Sequence, residues 1–149
     1  MEETATVAAL LDHKGRDVYT ISPENTVYEA IERLAERNVG ALLVMDGNRL
    51  TGVFSERDYT RKVALQGRNS KETRVYEIIT GRIISAAPST TIPDCLRLMA
   101  ENRVRHLPIL DGENLVGVIS VGDLVNWIIR SQRAQIEQLS SYIAGGYPG

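Results

Sequence analysis

The chain has 149 residues, which suits one compact domain and is too short for two domains of ordinary size. Its hydrophobic fraction of 43% can supply a core, and its net charge of −2 comes from interspersed acids and bases, which argues against a nucleic-acid or anionic-membrane surface. Six tyrosines, one phenylalanine and one tryptophan are few for a surface that stacks bases.

The cysteine count and the N-terminus narrow the class further. Cys95 is the one cysteine, so we expect neither an intrachain disulfide nor a cysteine-rich metal site. The chain starts with Met-Glu-Glu, unlike a secretory leader, and no apolar stretch approaches the roughly 20 residues of a spanning helix. We expect a cytoplasmic protein, or alternatively one of an organelle matrix, with no nucleic-acid or membrane partner.

The first elements predicted are a short helix and a strand. Thr4 to Leu11 has helical character and closes at Gly15, and Val18 to Ile21 is a strand that ends at Ser22-Pro23. A capping box of Thr26 and Glu29 then begins a second helix. The apolar residues at helical spacing, which predict its buried face, are Val27, Ala30, Ile31, Leu34 and Ala35.

A hairpin and another helix complete this unit. The continuous apolar run Ala41 to Met45 indicates a buried strand, Asp46-Gly47 predicts a tight turn, and Leu50 to Phe54 returns as the partner strand. Ser55 caps the next helix, which ends near Gly67. The order is therefore strand, helix, strand, strand, helix.

The second half of the chain repeats the first. After a polar linker (66–74) and a short apolar helical turn (75–80), residues 83–128 align with 18–63 without a gap. Gly52-Val53-Phe54-Ser55-Glu56-Arg57-Asp58 returns 65 positions later as Gly117-Val118-Ile119-Ser120-Val121-Gly122-Asp123. We expect a mixed α/β (α+β) fold, divided into 1–74 and 75–149, whose two repeats pack around a pseudo-twofold axis.

The last helix is longer than its counterpart. It is predicted to run from Leu124 to Tyr142 or beyond, and the tail 145–149 is expected to be disordered or only locally held. Its apolar stripe calls for a partner, either the core of the chain or a second subunit. The stripe consists of Trp127, Ile128, Ala134, Ile136, Leu139 and Ile143.

This pattern resembles the CBS domain pair, or Bateman module. The resemblance covers about residues 4 to 130 and rests on the doubled Gly-Val-(Phe/Ile)-Ser-x-x-Asp, the Asp-Gly turns, and the run Asn102-Arg103-Val104-Arg105-His106-Leu107-Pro108-Ile109. The runs from Ser55 to Lys62 and from Tyr142 to Tyr147 are similar to small stand-alone CBS-pair proteins of bacteria and plant organelles. The resemblance implies clefts that bind AMP, ADP, ATP or NAD(H), sometimes S-adenosylmethionine. It also implies a homodimer and a regulated partner enzyme, with no catalysis and no required metal.

We consider two roles for the repeated Ser and Asp residues, helix capping and ligand binding. Asp58 and Asp123 can close capping boxes with Ser55 and Ser120 at helix starts. Alternatively, each carboxylate accepts hydrogen bonds from ribose hydroxyls, and each helix N-terminus favours a phosphate. One residue can serve both purposes.

Basic residues break the symmetry of the repeats. The second copy has Arg105-His106 where the first has Gly40-Ala41, and the first has Arg57 where the second has Gly122. By resemblance, one cleft gathers Ser55, Arg57, Asp58, Arg105 and His106, and the other gathers Ser120, Asp123, Gly40 and Ala41. We expect the first to bind phosphate more tightly.

Other residues are assigned more simply. Arg61 and Lys62 either add phosphate contacts or form a solvated helix face, and Cys95 is expected to be buried filler. By resemblance, the adenine is bound through the backbone of two segments, Thr20-Ile21-Ser22 and Ser85-Ala86-Ala87. No catalytic constellation or phosphate-binding glycine loop is evident, so a regulatory sensor is predicted and an enzyme is not. The alternative is a ligand-independent dimeric interaction scaffold.

Overall fold

The computed structural model describes residues 5–79 and 82–146, with the backbone alone for 138–146. The elements of the first half are α1 (Val7–Lys14), β1 (Thr20–Ile21), α2 (Val27–Arg37), β2 (Ala41–Asp46), β3 (Arg49–Ser55) and α3 (Glu56–Tyr59), which continues as a π-helical segment (Thr60–Ala64). Those of the second half are a 3₁₀ turn (Val75–Glu77), α4 (Ile92–Asn102), β4 (His106–Asp111), β5 (Asn114–Ser120) and α5 (Val121–Gly146). The mixed α/β fold with two tandem repeats is confirmed.

The predicted capping box at the start of α2 is confirmed. Thr26 Oγ1 accepts a hydrogen bond from the Glu29 amide at 3.1 Å, and Glu29 Oε1 accepts one from the Thr26 amide at 2.8 Å. The predicted inner face holds except at its end, because Ala35 is exposed. At about 100° per residue, Ala35 lies roughly 80° around the helix from Val27 and turns away from the core.

Each repeat contains the predicted antiparallel hairpin, but the turn of the first lies one residue later than predicted. Asp46 ends β2 and pairs with Arg49, so Gly47 and Asn48 are the two turn residues, and Gly47 has a φ of +63°. The second hairpin, β4–β5, matches the first residue for residue. In the first repeat, β1 lies parallel to β2 and adds a third strand to the sheet.

The parallel strand expected at the start of the second repeat is reduced to a single bridge. Ala86 donates to Pro108 O and accepts from the Leu110 amide, and the sheet there contains only β4 and β5 among the described residues. Proline supplies the reason. Leu43 uses its amide to bind Tyr19 O at 3.0 Å in the first repeat, whereas Pro108, its counterpart, has no amide hydrogen to donate.

Each hydrophobic core is completed by the segment that precedes the other repeat. Helix α1 places Val7, Leu10 and Leu11 in the core of the second repeat, where all three are buried. The segment before the second repeat places Val75 and Ile78 in the core of the first. We call these two segments, α1 and residues 75–78, the exchanged caps. Each one precedes one repeat and packs into the core of the other.

The linker between the repeats is held against α2. The Val27 amide donates to Thr73 O at 2.8 Å, and the Tyr28 amide donates to Ser70 O at 3.0 Å. Thr73 is buried and donates its hydroxyl to Asn69 O at 2.7 Å. The linker carbonyls thus satisfy amides in the first turn of α2 that have no partner within the helix.

Helix α5 extends beyond the body of the second repeat. Its inner face contributes Leu124 to the core, with Trp127 and Ile128 packed beside it, while the residues from 129 to 137 are exposed. Leu139 and Ile143 lie among the residues whose side chains are not described, and 147–149 of the predicted loose tail lie outside the described residues. In the described ranges, no helix has the length and apolar character needed to cross a bilayer.

Candidate functional site

The described part of the chain contains a cavity of about 480 Å³ whose walls come from both repeats. The first repeat contributes Ser55, Arg57 and Asp58, and the second contributes Arg105 and His106. The structure therefore brings together all five residues that the sequence grouped in one cleft. We call this space the Asp58 cavity.

The carboxylate of Asp58 is partly committed to the start of α3. Asp58 Oδ2 accepts hydrogen bonds from the amide and hydroxyl of Ser55 at 2.9 and 3.0 Å, and the Asp58 amide donates to Ser55 Oγ at 3.2 Å. The other oxygen, Oδ1, has a longer contact of 3.5 Å with Lys62 Nζ. Asp58 therefore closes the capping box and still has one carboxylate oxygen for a ligand.

Positive charge dominates the walls of the cavity. Arg57, Arg61 and Lys62 stand on α3 and the π-helical segment, while Arg82, Arg103 and Arg105 belong to the second repeat. Glu56 and Asp58 are the acidic residues of the lining. The lining can therefore attract a phosphate from two sides.

The remaining lining is apolar or neutral. Apolar side chains are supplied by Val53, Ile83, Ile84 and Val104. Gly40 also lines this cavity rather than a cleft with Asp123, and a Cβ added to it would lie 3.5 Å from Glu56 Oε1 and from the His106 ring. An aromatic base could therefore contact apolar side chains beside the charged region.

The surroundings of His106 favour its neutral form. Burial lowers its pKa below the usual value, Asp123 opposes this effect, and Lys14 and Arg105 reinforce it. A neutral imidazole can donate one hydrogen bond and accept another. His106 thus offers the cavity a polar group that can form hydrogen bonds with a ligand.

The three residues predicted at the base-binding segments do not line the Asp58 cavity. Thr20 O accepts a hydrogen bond from Arg33 Nη1 at 2.6 Å, and Ser22 Oγ accepts one from the Glu24 amide at 3.2 Å. Ile83 and Ile84, which precede the second segment, reach the cavity, whereas Ser85 is absent from its lining. Roles for Thr20, Ser22 and Ser85 in ligand binding stay predictions.

The second carboxylate, Asp123, has different surroundings. Asp123 Oδ2 accepts from the Ser120 amide at 2.8 Å, and Lys14 Nζ of α1 lies 2.5 Å from the same oxygen. Lys14 also donates to Val118 O at 2.8 Å. A smaller cavity of about 290 Å³ adjoins this ion pair between α1 and α5. It is lined by Leu10, His13, Lys14, Asp123, Asn126, Trp127 and Arg130.

The described residues include neither a cluster of metal ligands nor an exposed thiol. No group of three or more His, Cys, Asp or Glu side chains is placed there to hold a metal ion. Cys95 is fully buried in the core of the second repeat, as predicted, and burial raises its pKa to about 11.

Sequence reasoning missed part of the site. Arg82 and Arg103 line the Asp58 cavity, and Lys14 holds Asp123, although none of the three was singled out. Arg103 lies in the basic run that precedes β4, which was a usable signal. The contact of Lys14 joins residues 109 positions apart, and nothing in the local sequence indicates it.

Comparison with known proteins places the chain in a family. The family model for the CBS domain matches residues 12–65 and 75–130. A relative from Arabidopsis thaliana, the mitochondrial CBS domain-containing protein CBSX3, is 34% identical over 97% of this chain and 75% of its own length. A protein with CBS domains from Burkholderia ambifaria is 50% identical, covers 86% of this chain and 96% of its own, and superimposes with a TM-score of 0.83.

A more distant solved structure shares the fold. It is a CBS domain pair in complex with 5′-methylthioadenosine and S-adenosyl-L-methionine, 18% identical over 87% of this chain and 99% of its own, with a TM-score of 0.76. With two family matches along one chain, and with two repeats that pack as the matched structures do, this chain belongs to the CBS domain family.

Proposed function

We propose that this CBS pair is a regulatory module that binds an adenosine nucleotide in the Asp58 cavity. The single observation that carries the proposal is the convergence of Ser55, Arg57 and Asp58 from one repeat with Arg105 and His106 from the other. A ribose, a phosphate and an apolar base require a carboxylate, cations and apolar surface, and this cavity offers all three.

Each group has a chemical part in the proposed complex. Asp58 Oδ1, which has only the longer contact with Lys62, accepts hydrogen bonds from ribose hydroxyls, and Arg57 and Arg105 bind phosphate oxygens. Ile83, Ile84 and Val104 contact the base. The ligands of the distant CBS pair, 5′-methylthioadenosine and S-adenosyl-L-methionine, both contain adenosine, which supports this assignment.

Regulation follows from the position of the cavity between the repeats. A ligand that touches both repeats favours the arrangement in which it has most contacts, and it shifts the population only by its differential affinity for the two shapes. We expect slower amide hydrogen exchange in α3 and in residues 103–106 at saturation. Unchanged exchange in both segments would argue against a transmitted change of shape.

We further propose a homodimer that uses α5. Val125, Ile129 and Ile136 are 44%, 42% and 63% exposed, and at about 100° per residue they fall within roughly 40° of one another on the helix. Ile129→Ser with Ile136→Ser should lower the mass found by light scattering to that of the monomer. Ser131→Ala, on an exposed position of the same helix, is the control.

The second candidate function is a ligand-independent interaction scaffold. The exposed apolar face of α5 is the observation that favours it. In that case a partner protein would still bind after loss of both Asp58 and Asp123. A partner whose binding depends on nucleotide would favour the sensor.

Thermal unfolding with adenosine, AMP, ADP, ATP, NAD and GMP tests the proposal. A ligand at 100 times its Kd stabilises the fold by about 2.7 kcal/mol, which raises Tm by several degrees. Asp58→Asn should weaken binding about 10- to 100-fold, because charged hydrogen bonds contribute about 1.5–3 kcal/mol.

Asp123→Asn is the matched control for this experiment. Asp123 occupies the equivalent capping position, with Ser120 Oγ accepting from its amide at 3.1 Å, so its loss removes the same kind of helix cap. Binding in the Asp58 cavity should survive in this variant. An equal loss of binding in both variants, or no shift with any adenosine compound, would leave the scaffold as the better reading.

A further inference from the structure

The cations around the Asp58 cavity exceed what a single phosphate needs. Six basic side chains and two acidic ones line it. One carboxylate oxygen of Asp58 is already engaged by Ser55. A phosphate monoester carries a charge of only about −1.5 to −2 at neutral pH. The positive charge of the lining therefore suits an anion that carries more negative charge than one phosphate monoester.

Four of these six cations have no partner among the residues that the structure describes. Among the described residues, the guanidinium groups of Arg57, Arg61, Arg103 and Arg105 have neither a hydrogen bond nor an ion pair. Elsewhere, arginines such as Arg16, Arg68 and Arg97 are paired with carboxylates at 2.5 to 2.7 Å. These four arginines are exposed and line one cavity, so their guanidinium groups are available to an anionic ligand.

The other repeat shows that the fold itself does not require these cations. At the 65-residue offset, none of the six positions has a basic counterpart. Arg57, Arg61, Lys62, Arg82, Arg103 and Arg105 correspond to Gly122, Asn126, Trp127, Asp17, Asn38 and Gly40. Both repeats nevertheless build the same hairpin and the same Ser–Asp cap. Neither the hairpin nor the cap therefore needs these cations.

The cations come from both repeats. Arg57, Arg61 and Lys62 stand on the helical turns that follow β3, and Arg82, Arg103 and Arg105 belong to the second repeat. The volume of about 480 Å³ lies within the range of roughly 300–1,000 Å³ that small-molecule sites occupy. A chain of phosphates in this cavity would have cations of both repeats available to it.

We propose that the Asp58 cavity selects its ligand by the number of phosphates and takes a nucleoside di- or triphosphate in preference to the monophosphate. The inference rests on the proposed function and deepens it, because it names the ligand class of the same cavity. Arg105 and Arg61, one from each repeat, contact the outer phosphates.

Calorimetric titration of the full chain with adenosine, AMP, ADP, ATP and inorganic triphosphate tests this proposal. Affinity should rise about 1.4- to fivefold with each phosphate, the range that exposed ion pairs give. The dependence on salt should steepen in the same order, because more exposed charges interact. AMP that binds as tightly as ATP at low salt would overturn the proposal.

Arg61→Gln with Arg105→Gln should reduce the affinity for ATP and ADP more than that for AMP, and that for adenosine least. Arg49→Gln removes an arginine at the start of β3, outside the lining, and should leave the series unchanged. Equal losses for all four adenosine compounds in the double variant would contradict selection by phosphate number.

The two proposals fail in different ways. Binding of inorganic triphosphate without binding of adenosine or AMP would uphold a polyphosphate site and overturn nucleoside recognition. Binding of every adenosine compound with one affinity would uphold the nucleotide module and overturn the preference for phosphates. Binding of none of the compounds would overturn both.

Discussion

The equivalent carboxylates of the two repeats have different lysine neighbours. Lys62, from the helical segment after α3, approaches Asp58 at 3.5 Å, and Lys14, from α1, approaches Asp123 at 2.5 Å. Asp58 Oδ1 keeps only this longer contact, whereas Asp123 is held by a lysine that also binds Val118 O. Equivalent residues in a repeat therefore do not have equivalent availability for a ligand.

The pKa of His106 depends on Lys14 and Asp123. Burial lowers its pKa most, Asp123 raises it and Lys14 lowers it. Lys14→Met should therefore raise the pKa of His106, and Asp123→Asn should lower it. NMR titration of the His106 ring protons measures both, with His13→Gln to assign the two histidines of the chain. Shifts in the same direction would contradict this electrostatic arrangement.

At the scale of elements, the first helices of the repeats differ in their caps. Thr26 and Glu29 form a reciprocal box, whereas Thr91 accepts from the Asp94 amide at 3.2 Å and Asp94 pairs with Arg97. Thr26→Ala should lower the free energy of unfolding by about 1–2 kcal/mol, and Thr91→Ala by about 0.5–1 kcal/mol. Urea unfolding at pH 7 measures both, and equal losses would contradict the difference between the caps.

The same box predicts a dependence on pH. The hydrogen bond from the Thr26 amide, with others from Asn25 and Thr26 side chains, lowers the pKa of Glu29 below 4.5. A lowered folded-state pKa adds stability above the unfolded value, and this stability is lost as the pH falls through the folded value. Between pH 5 and 3, Glu29→Gln should therefore lose less stability than the parent chain. Urea unfolding across this range would contradict the prediction if both curves fell in parallel.

Helix α1 is fitted closely to β5. A Cβ added at Gly117 would lie 2.8 Å from Leu11 Cδ2, and Leu11 is fully buried. Gly117→Ala should therefore destabilise the fold by about 1–3 kcal/mol through overpacking. In combination with Leu11→Ala, which makes room, the cost should be less than the sum of the single changes. Additive losses in urea unfolding would show that the two residues do not compete for space.

The elements that the sequence predicted well are those determined by local chemistry. The Thr26 cap, the Asp46-Gly47 hairpin and the strand order within the first repeat depend on neighbouring residues, and they are present as expected. The reduced parallel strand of the second repeat could not be predicted in the same way, because it depends on how Pro108 pairs with a segment distant in sequence. Charged residues of the Asp58 cavity could be predicted because they differ between two repeats that are otherwise similar in sequence. The Lys14 contact was not, because it arises from tertiary packing alone.

At the scale of the whole molecule, the exchanged caps couple the two cores. A chain that lacks residues 1–14 loses Val7, Leu10 and Leu11 from the second core and nothing from the first. Its amide hydrogen exchange should rise more in β4 and β5 than in β2 and β3. Val75→Ala is the converse control and should affect β2 and β3 first. Uniform acceleration in both chains would indicate a single cooperative core.

The exchanged caps also bear on how such a chain can arise by duplication. Val75 stands 65 residues after Leu10, the same offset as the repeats, so each cap has the same place ahead of its own repeat. In this chain each cap reaches across to the other unit, so two units in tandem satisfy one another. A protein with one unit would leave its cap without a core and its core without a cap. Such an ancestor would complete itself only by swapping caps with a second molecule. Fusion of the two genes would then turn an association that depends on concentration into a permanent one.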